Sequence, residues 1–538
     1  VTGEKPQQEV DGALKAAPAP PRPRGGVGRS TAIFAFWTGI SRVMGLAREI
    51  LAAALYGTQG PINAFVIAFQ VPNLLRSVVA DSALSAAFLP IYTQLQEEGR
   101  HKEARRLVGA LIGVITLVLG GLSLIAIVVA PWVMPLFAPG LSESLTDELI
   151  LYSRIMFPIV AMLGLTGLIA AVLQAGGEFG ATAFVPVLWN LVIIASMALG
   201  TLFVSGAAAV TMYAVGIVLG TAAQLLWLVP SFRRKGPFPI SFSMASPHMR
   251  RVLILMLPVT LGLGLINVNL SIDSVFATLV SDESPRAIDA AFRIYLLPQG
   301  VFSVAIATVL FPAISRLAAR ADWDGMRRAV ADGTRQIFFM LLPCSAFLLV
   351  LTEPVVRLVF QRGEFDAQST AITSEALFFF ALGLAFNGAS LLVIRAFFSL
   401  QEPWVPTKVA ALGVVLNTIL NAILYVPMGT GGIPFATSIT SAVTLGVLMV
   451  LLSRQLGGLH GAWIRDGILR CAAASAVSAV LAWSTWTVLD EALGRSTIAQ
   501  IVAMTGAIAA SGAAYVAAAR AFELQELRVL GRLARPLR

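Results

Sequence analysis

Charge is scarce in this chain. Only 12% of its 538 residues are Asp, Glu, Lys or Arg, about half the share of a soluble globular protein. With 57% hydrophobic residues and a mean hydropathy of +0.82, an ordinary soluble domain is excluded. Cysteine is nearly absent: Cys344 and Cys471 lie in apolar segments, too far apart for a disulfide framework or metal site, and read as small core residues. Histidine is equally rare. His101, His248 and His460 fall in predicted loops, no HxxxH or paired-carboxylate motif occurs, and the glycine runs follow no strand, so the chain reads neither as an enzyme nor as a nucleotide binder. The roughly ten-residue alternation of an outer-membrane barrel is missing too.

What remains is a series of long Phe-, Val-, Leu- and Ala-rich runs, the signature of spanning helices. The fold class is all-α, polytopic and membrane-embedded. The runs predict fourteen helices, near residues 31–56, 62–95, 105–134, 147–175, 181–204, 208–231, 251–280, 287–318, 327–352, 370–400, 404–426, 433–456, 464–488 and 497–522. Residues 1–30, rich in Pro, Gly and charge, read as a disordered cytoplasmic tail rather than a signal peptide, because no apolar core follows the basic residues.

The net charge of +9 is spread over short loops, so it points to membrane orientation and not to nucleic acid. Basic residues occupy every second connection: Arg100, Lys102, Arg105 and Arg106; then Arg233, Arg234, Lys235, Arg250 and Arg251; then Arg316, Arg320, Arg327 and Arg328. The tail 523–538 adds Arg528, Arg532, Arg535 and Arg538. The alternate loops "YGTQGPIN", "APGLSESLTDE", "FVSGAAA" and "VPMGTGG" have none, the exceptions on that side being Arg286, Arg357, Arg362 and Arg495. Both termini are therefore expected in the cytoplasm.

An internal repeat sets the architecture. "AFVIAFQVPNLLRSVVADSALSAAFLPIYTQL" (64–95) resembles "AFRIYLLPQGVFSVAIATVLFPAISRL" (291–317), and the segment ending at Asn190 resembles the one ending at Asn417. Both pairs are offset by about 225 residues, or six helices. An even-numbered repeat preserves membrane orientation, so the halves are parallel and flank a central cavity. The expected units are a first lobe (31–231), a second lobe (251–456), an appended helix pair (464–522) and the basic tail (523–538).

Several charges stand where lipid would forbid them. Counted from Ser30, Arg42 lies roughly 18 Å and Arg48 roughly 27 Å into the first helix, too deep for Arg42 to reach water by snorkelling alone. Arg76 follows Pro72, and Arg293 precedes Pro298 in the corresponding helix of the repeat. Ser41, Glu49, Asn63 and Asp81 flank these arginines as supporting cavity residues, the two acids neutralising at most two of four guanidiniums. A net positive cavity favours an anion, and Arg recognises phosphate through its planar fork of donors. A second constellation comprises Asp273, Asn417 and Asn421 at i, i+4, and Thr437. Two readings stand open: oxygen ligands for Na⁺ with Asp273 as an alternative proton carrier, or interhelical hydrogen-bond packing. No other cofactor is expected.

The stretches "SRVMGLARE", "AFVIAFQVPNLLRSVVADSALSAAFLPIY" and "RIYLLPQGVFSVAIATVLFPAIS" together resemble the MurJ/MviN family of bacterial lipid II flippases, over residues 31–523. The resemblance implies a V-shaped pair of six-helix lobes in the bacterial cytoplasmic membrane, and two further helices whose groove takes an undecaprenyl tail. It also implies that Arg42, Arg48, Arg76 and Arg293 bind the substrate's pyrophosphate. The implied substrate is lipid II, a polyprenyl pyrophosphate bearing a disaccharide-pentapeptide, exported by alternating access. Membrane lipids and cell-wall synthesis proteins are the other partners it suggests. The family resemblance, in which some members have a proposed sodium site, puts that reading of Asp273, Asn417, Asn421 and Thr437 level with the packing one, and Asn421 replaces a carboxylate found in some members. Likewise Asn63 and Phe292 stand where many members are acidic. The alternatives are another exporter of the superfamily, for a different glycan-lipid or a drug, and a scaffold for cell-wall synthesis that binds lipid without moving it.

Overall fold

The computed structural model describes residues 27–79, 82–242 and 247–527, and among these every regular element is helical. Within lipid a helix satisfies its own backbone groups, which is why such apolar runs adopt it. In chain order the helices are α1 (Val27–Tyr56), α2 (Pro61–Val79), α3 (Ser82–Glu97), α4 (His101–Val133), α5 (Glu143–Met156), α6 (Ile159–Ala175), α7 (Phe179–Phe203) and α8 (Ala207–Arg233). They continue with α9 (Pro247–Val280), α10 (Ser284–Pro298), α11 (Val304–Ala319), α12 (Trp323–Val350), α13 (Thr352–Phe360), α14 (Ala367–Ser399), α15 (Trp404–Leu456), α16 (Gly461–Leu493) and α17 (Thr497–Ala521). Ten helical stretches among the described residues are long and apolar enough to cross a membrane. Large apolar side chains such as Leu124, Trp132, Leu199, Phe203, Val309 and Val426 are exposed on them, as lipid contact requires.

Two junctions in the expected helices matter. The single helix expected at 287–318 is two, joined by a π-helical turn at Gln299–Ser303. Pro298, at the end of α10, has no N–H to give and its ring crowds the preceding turn, which favours a wider turn there. The two helices expected at 404–426 and 433–456 are two in the structure as well: α15 is a pair joined at a kink at Gly429, whose φ of 53° and ψ of −136° are non-helical and suited to glycine.

The helices bury two large apolar clusters. One draws on residues between 52 and 252, including Phe65, Phe88, Leu111 and Tyr152; the other, apart from Ala53, draws on residues between 290 and 456, including Phe338, Phe360, Phe365 and Phe397. α1 packs on α7, α14 on α15, and α9 against α15 as well as α2 and α3. The last two helices pack on each other, α16 also on α12 and α17 on α13. They are fastened at two places by similar groupings. Arg335 of α12 pairs with Glu526, stacks 3.8 Å over the Trp463 ring and donates to the Trp463 carbonyl at 3.1 Å. Arg357 of α13 lies 3.4 Å from Asp490 and 5.6 Å over the Trp486 ring.

Candidate functional site

The two clusters meet at a polar seam whose centre is the end of α1. Arg48 and Glu49, 8% and 4% exposed, are bonded to each other at 2.6 Å. Arg48 also stacks 4.8 Å over Trp189 of α7, which sets the guanidinium's plane. The Glu49 carboxylate faces α10 as well: Arg293 Nη1 is 3.5 Å from Oε1 and Arg286 Nη1 donates to Oε2 at 3.4 Å. Asp289 lies between those two arginines, 3.0 Å from Arg286 and 3.2 Å from Arg293. Spacings of three and four residues put all three α10 side chains on one face.

Arg286 and Asp289 are the residues the sequence reading missed. Arg286 counted there as a stray basic residue in a loop; it is 2% exposed, inside the first turn of α10. The i, i+3, i+7 pattern Arg286, Asp289, Arg293 was the available signal. The neutralising acids expected were Glu49 and Asp81. Glu49 is instead shared by three arginines, and Asp289 supplies the second described carboxylate. Asp81 lies outside the described residues, as does the side chain of Arg76, whose backbone is in α2.

Arg42 is not part of this cluster. It is exposed, two turns earlier on α1, and no carboxylate among the described residues pairs with it. Its Nη1 comes within 3.8 Å of where a Cβ on Gly300 would stand, so it faces the π-turn that follows α10. Ser41 beside it is half-buried. Asn63, expected to line the cavity, is fully buried. Its Nδ2 donates to the Thr58 and Gly60 carbonyls at 2.7 and 3.3 Å, and its Oδ1 accepts from the Arg286 backbone N–H at 2.9 Å. It ties the α1–α2 loop to the start of α10.

More links join the same end. The Glu364 N–H donates to the Ala54 carbonyl at 2.9 Å, and the Thr58 hydroxyl donates to that of Ser369 at 2.7 Å. Gly57 and Gly363 both have φ near +59° and each abuts the opposing backbone, at Glu364 and Ala54 respectively, an approach that a Cβ would obstruct. This end of the seam is shut.

The four residues of the second constellation lie together in one hydrogen-bonded group. Asp273 of α9 accepts from Asn421 at 2.7 Å and from Thr437 at 3.4 Å; Asn421 donates to Asn417 at 2.9 Å, and Asn417 to Thr437 at 3.3 Å. Asn269, one turn before Asp273, adds a donor at 3.3 Å. Asn417 and Asn421 are fully buried, and Asn421 Oδ1 has no partner. No group of three or more His, Cys, Asp or Glu able to hold a metal occurs among the described residues, so any cation here would rest on one carboxylate and neutral oxygens. Next to Asp273, Ser274 donates to Gln70 of α2 at 2.6 Å, tying α9 to α2.

Two helical bundles meet across a buried, charged seam in a chain of membrane-length apolar helices, the architecture of a polytopic membrane transporter. The family model described as "Lipid II flippase MurJ" matches residues 52–503, and the chain belongs to that family. The lipid II flippase MurJ of Burkholderia cenocepacia is 30% identical over 461 residues, 83% of this chain and 88% of that protein. The probable lipid II flippase MurJ of Vibrio cholerae is 28% identical over 91% of this chain and 95% of its own length. Among solved structures, a lipid II flippase MurJ in an inward closed conformation superposes with TM-score 0.76 at 21% identity, covering 91% of this chain and all of that one. An inward-facing multidrug transporter of the MATE family, in the MOP superfamily, superposes at 0.65 with 16% identity over 78% of this chain, so the fold is shared more widely than the family.

Proposed function

We propose that this protein moves lipid II across the bacterial cytoplasmic membrane, from the inner to the outer leaflet, by alternating access between lobes 31–231 and 251–456. In this reading fourteen helices span the bilayer with both termini cytoplasmic. The closed end of the seam, whose α1–α2 loop lacks Lys and Arg, then faces outward. The arginines receive the pyrophosphate, and α16 with α17 takes the polyprenyl tail. The observation that carries it is the set of guanidiniums at the lobe boundary, Arg48 and Arg286 buried and Arg293 partly exposed, each with a buried donor atom left unpartnered. Buried donors without acceptors are costly, and a transported anion supplies the acceptors. Arg42, facing the π-turn, and Arg76 extend the site along the path.

The polar cluster at Asp273 is the proposed coupling site, taking up Na⁺ or a proton on the one buried carboxylate of that cluster. The rival drug-export reading predicts an acidic or aromatic cavity, whereas basic side chains outnumber acidic ones at this seam. Complementation tests the proposal. In cells depleted of their own lipid II flippase, the wild-type chain restores growth, whereas Arg48→Ala and Arg293→Ala, expressed to the same level in the membrane, do not. Arg42→Ala and Arg76→Ala test the extended path. Full rescue by all four variants would overturn the site, and failure of the wild-type chain would overturn the function.

A further inference from the structure

Glu49 carries an oddity that lipid II binding alone leaves unexplained. One carboxylate is placed against three guanidiniums from two lobes: Arg48 beside it on α1, and Arg286 and Arg293 across the seam on α10. A pair needs one arginine per carboxylate, and a second acid, Asp289, serves both α10 arginines from their own helix. Even so, Arg48 Nε, Arg293 Nε and both Arg286 Nε and Nη2 stay buried without acceptors. The site therefore has more donors than its own acids can use, and the anion it holds, Glu49, is tethered to the lobe opposite α10.

We propose that Glu49 is a built-in competitor for the substrate's phosphates and that Arg286 is a further anion-binding residue of the same site. A pyrophosphate group carries more acceptor oxygens than a carboxylate and satisfies the donors that Glu49 leaves unused. As it takes over the guanidiniums of Arg286 and Arg293, Glu49 loses its partners on α10. The ionic part of the closure between α1 and α10 is then released. What is left at that end is neutral: the Asn63 bond to the Arg286 N–H, the Thr58 and Ser369 hydroxyls, and the Ala54 to Glu364 backbone bond. Occupancy and opening become one event, because the group displaced is the group that held the lobes together. With no anion present, Glu49 returns and the outer end closes on an empty site. The inference rests on the proposed phosphate site and adds its regulation.

The test separates the two. Purified protein in detergent is titrated with inorganic pyrophosphate, and opening is read from spin labels on Gln59→Cys and Gln368→Cys. Both positions are exposed on opposite sides of the closed end, and Cys344 and Cys471 are replaced by alanine in this background. Wild-type protein binds pyrophosphate and gains a population with longer label separation. Glu49→Gln binds it about tenfold more tightly and shows the longer separation before any is added, since removing a competing charge frees its partners. Asp289→Asn, a second variant that spares Glu49, shifts affinity the same way by less. Adding Arg286→Met to Glu49→Gln takes the gain away, and Arg286→Lys keeps part of it. Unchanged or weaker binding in Glu49→Gln, with the variant monodisperse and wild type binding normally, overturns the competitor role. Absence of pyrophosphate binding in wild type overturns the phosphate site beneath it.

Discussion

The side chains of Thr58 and Ser369, 311 positions apart in the chain, meet at 2.7 Å between their hydroxyl oxygens. Thr58 is fully buried and so is Ser369, so the bond forms only when the α1–α2 loop rests on the start of α14. It marks closure of one end of the seam at single-atom resolution.

Replacing both by cysteine, with Cys344 and Cys471 changed to alanine, places two thiols within disulfide reach. Under oxidising conditions lipid II flipping by the Thr58→Cys, Ser369→Cys protein falls to background, and a reductant restores it. Each single variant keeps activity under both conditions. Flipping that survives a disulfide verified by mass spectrometry would show that this end need not open.

Asp366 caps α14 beside that contact: its carboxylate accepts from the Ser369 N–H at 2.8 Å. The backbone and side-chain bonds from Ser369 hold its pKa below the ordinary aspartate value. A depressed carboxylate pKa stabilises the fold above the unfolded value, and that contribution is lost as pH falls through the depressed one. Asp366→Ala costs about 1 kcal/mol at neutral pH, and the difference from wild type narrows in acid. Denaturant unfolding at a series of pH values measures it.

At the second constellation the single carboxylate decides the outcome. Asp273→Asn keeps the hydrogen-bonded shape yet removes the charge, so Na⁺ stops affecting flipping or protein fluorescence. Asn421→Asp adds a carboxylate where an unpartnered amide oxygen already points, and raises Na⁺ affinity by about tenfold or more, given the strength of a nearby charge in a buried site. Flipping indifferent to both substitutions would leave the cluster as helix packing.

Arg335 and Glu526 are each under a tenth exposed, and truncating one strands the other. Arg335→Ala or Glu526→Ala therefore destabilises by about 3–5 kcal/mol, whereas replacing both with apolar residues costs much less. Thermal unfolding in detergent, followed for the single and double variants, checks the asymmetry.

Sequence reasoning found what depends on a single helix and missed what depends on how helices meet. Arg48 and Arg293 stood out because a charge in an apolar run is expensive wherever the run packs. Asn417 and Asn421 stood out because helical spacing puts them on one face. Arg286 did not, because it sits just inside a helix start and near a loop a basic residue looks ordinary; only burial against Glu49 and Asn63 gives it meaning. Asn63 was assigned to the cavity, whereas its partners are backbone groups, the Thr58 and Gly60 carbonyls of its own loop and the Arg286 N–H 223 residues away. The break after Pro298 was legible as a bend, but its form as a π-turn facing Arg42 was not.

The break in α15 constrains the polar cluster in a way no loop would. Asn417 and Asn421 precede Gly429 and Thr437 follows it, so the angle between the two halves, and with it the gap into which Asp273 fits, is set mainly by the torsions of one residue. Inserting a single residue at that point would rotate Thr437 by roughly 100° about its own helix and turn its hydroxyl away from the cluster, leaving every side chain present and the cluster dismantled.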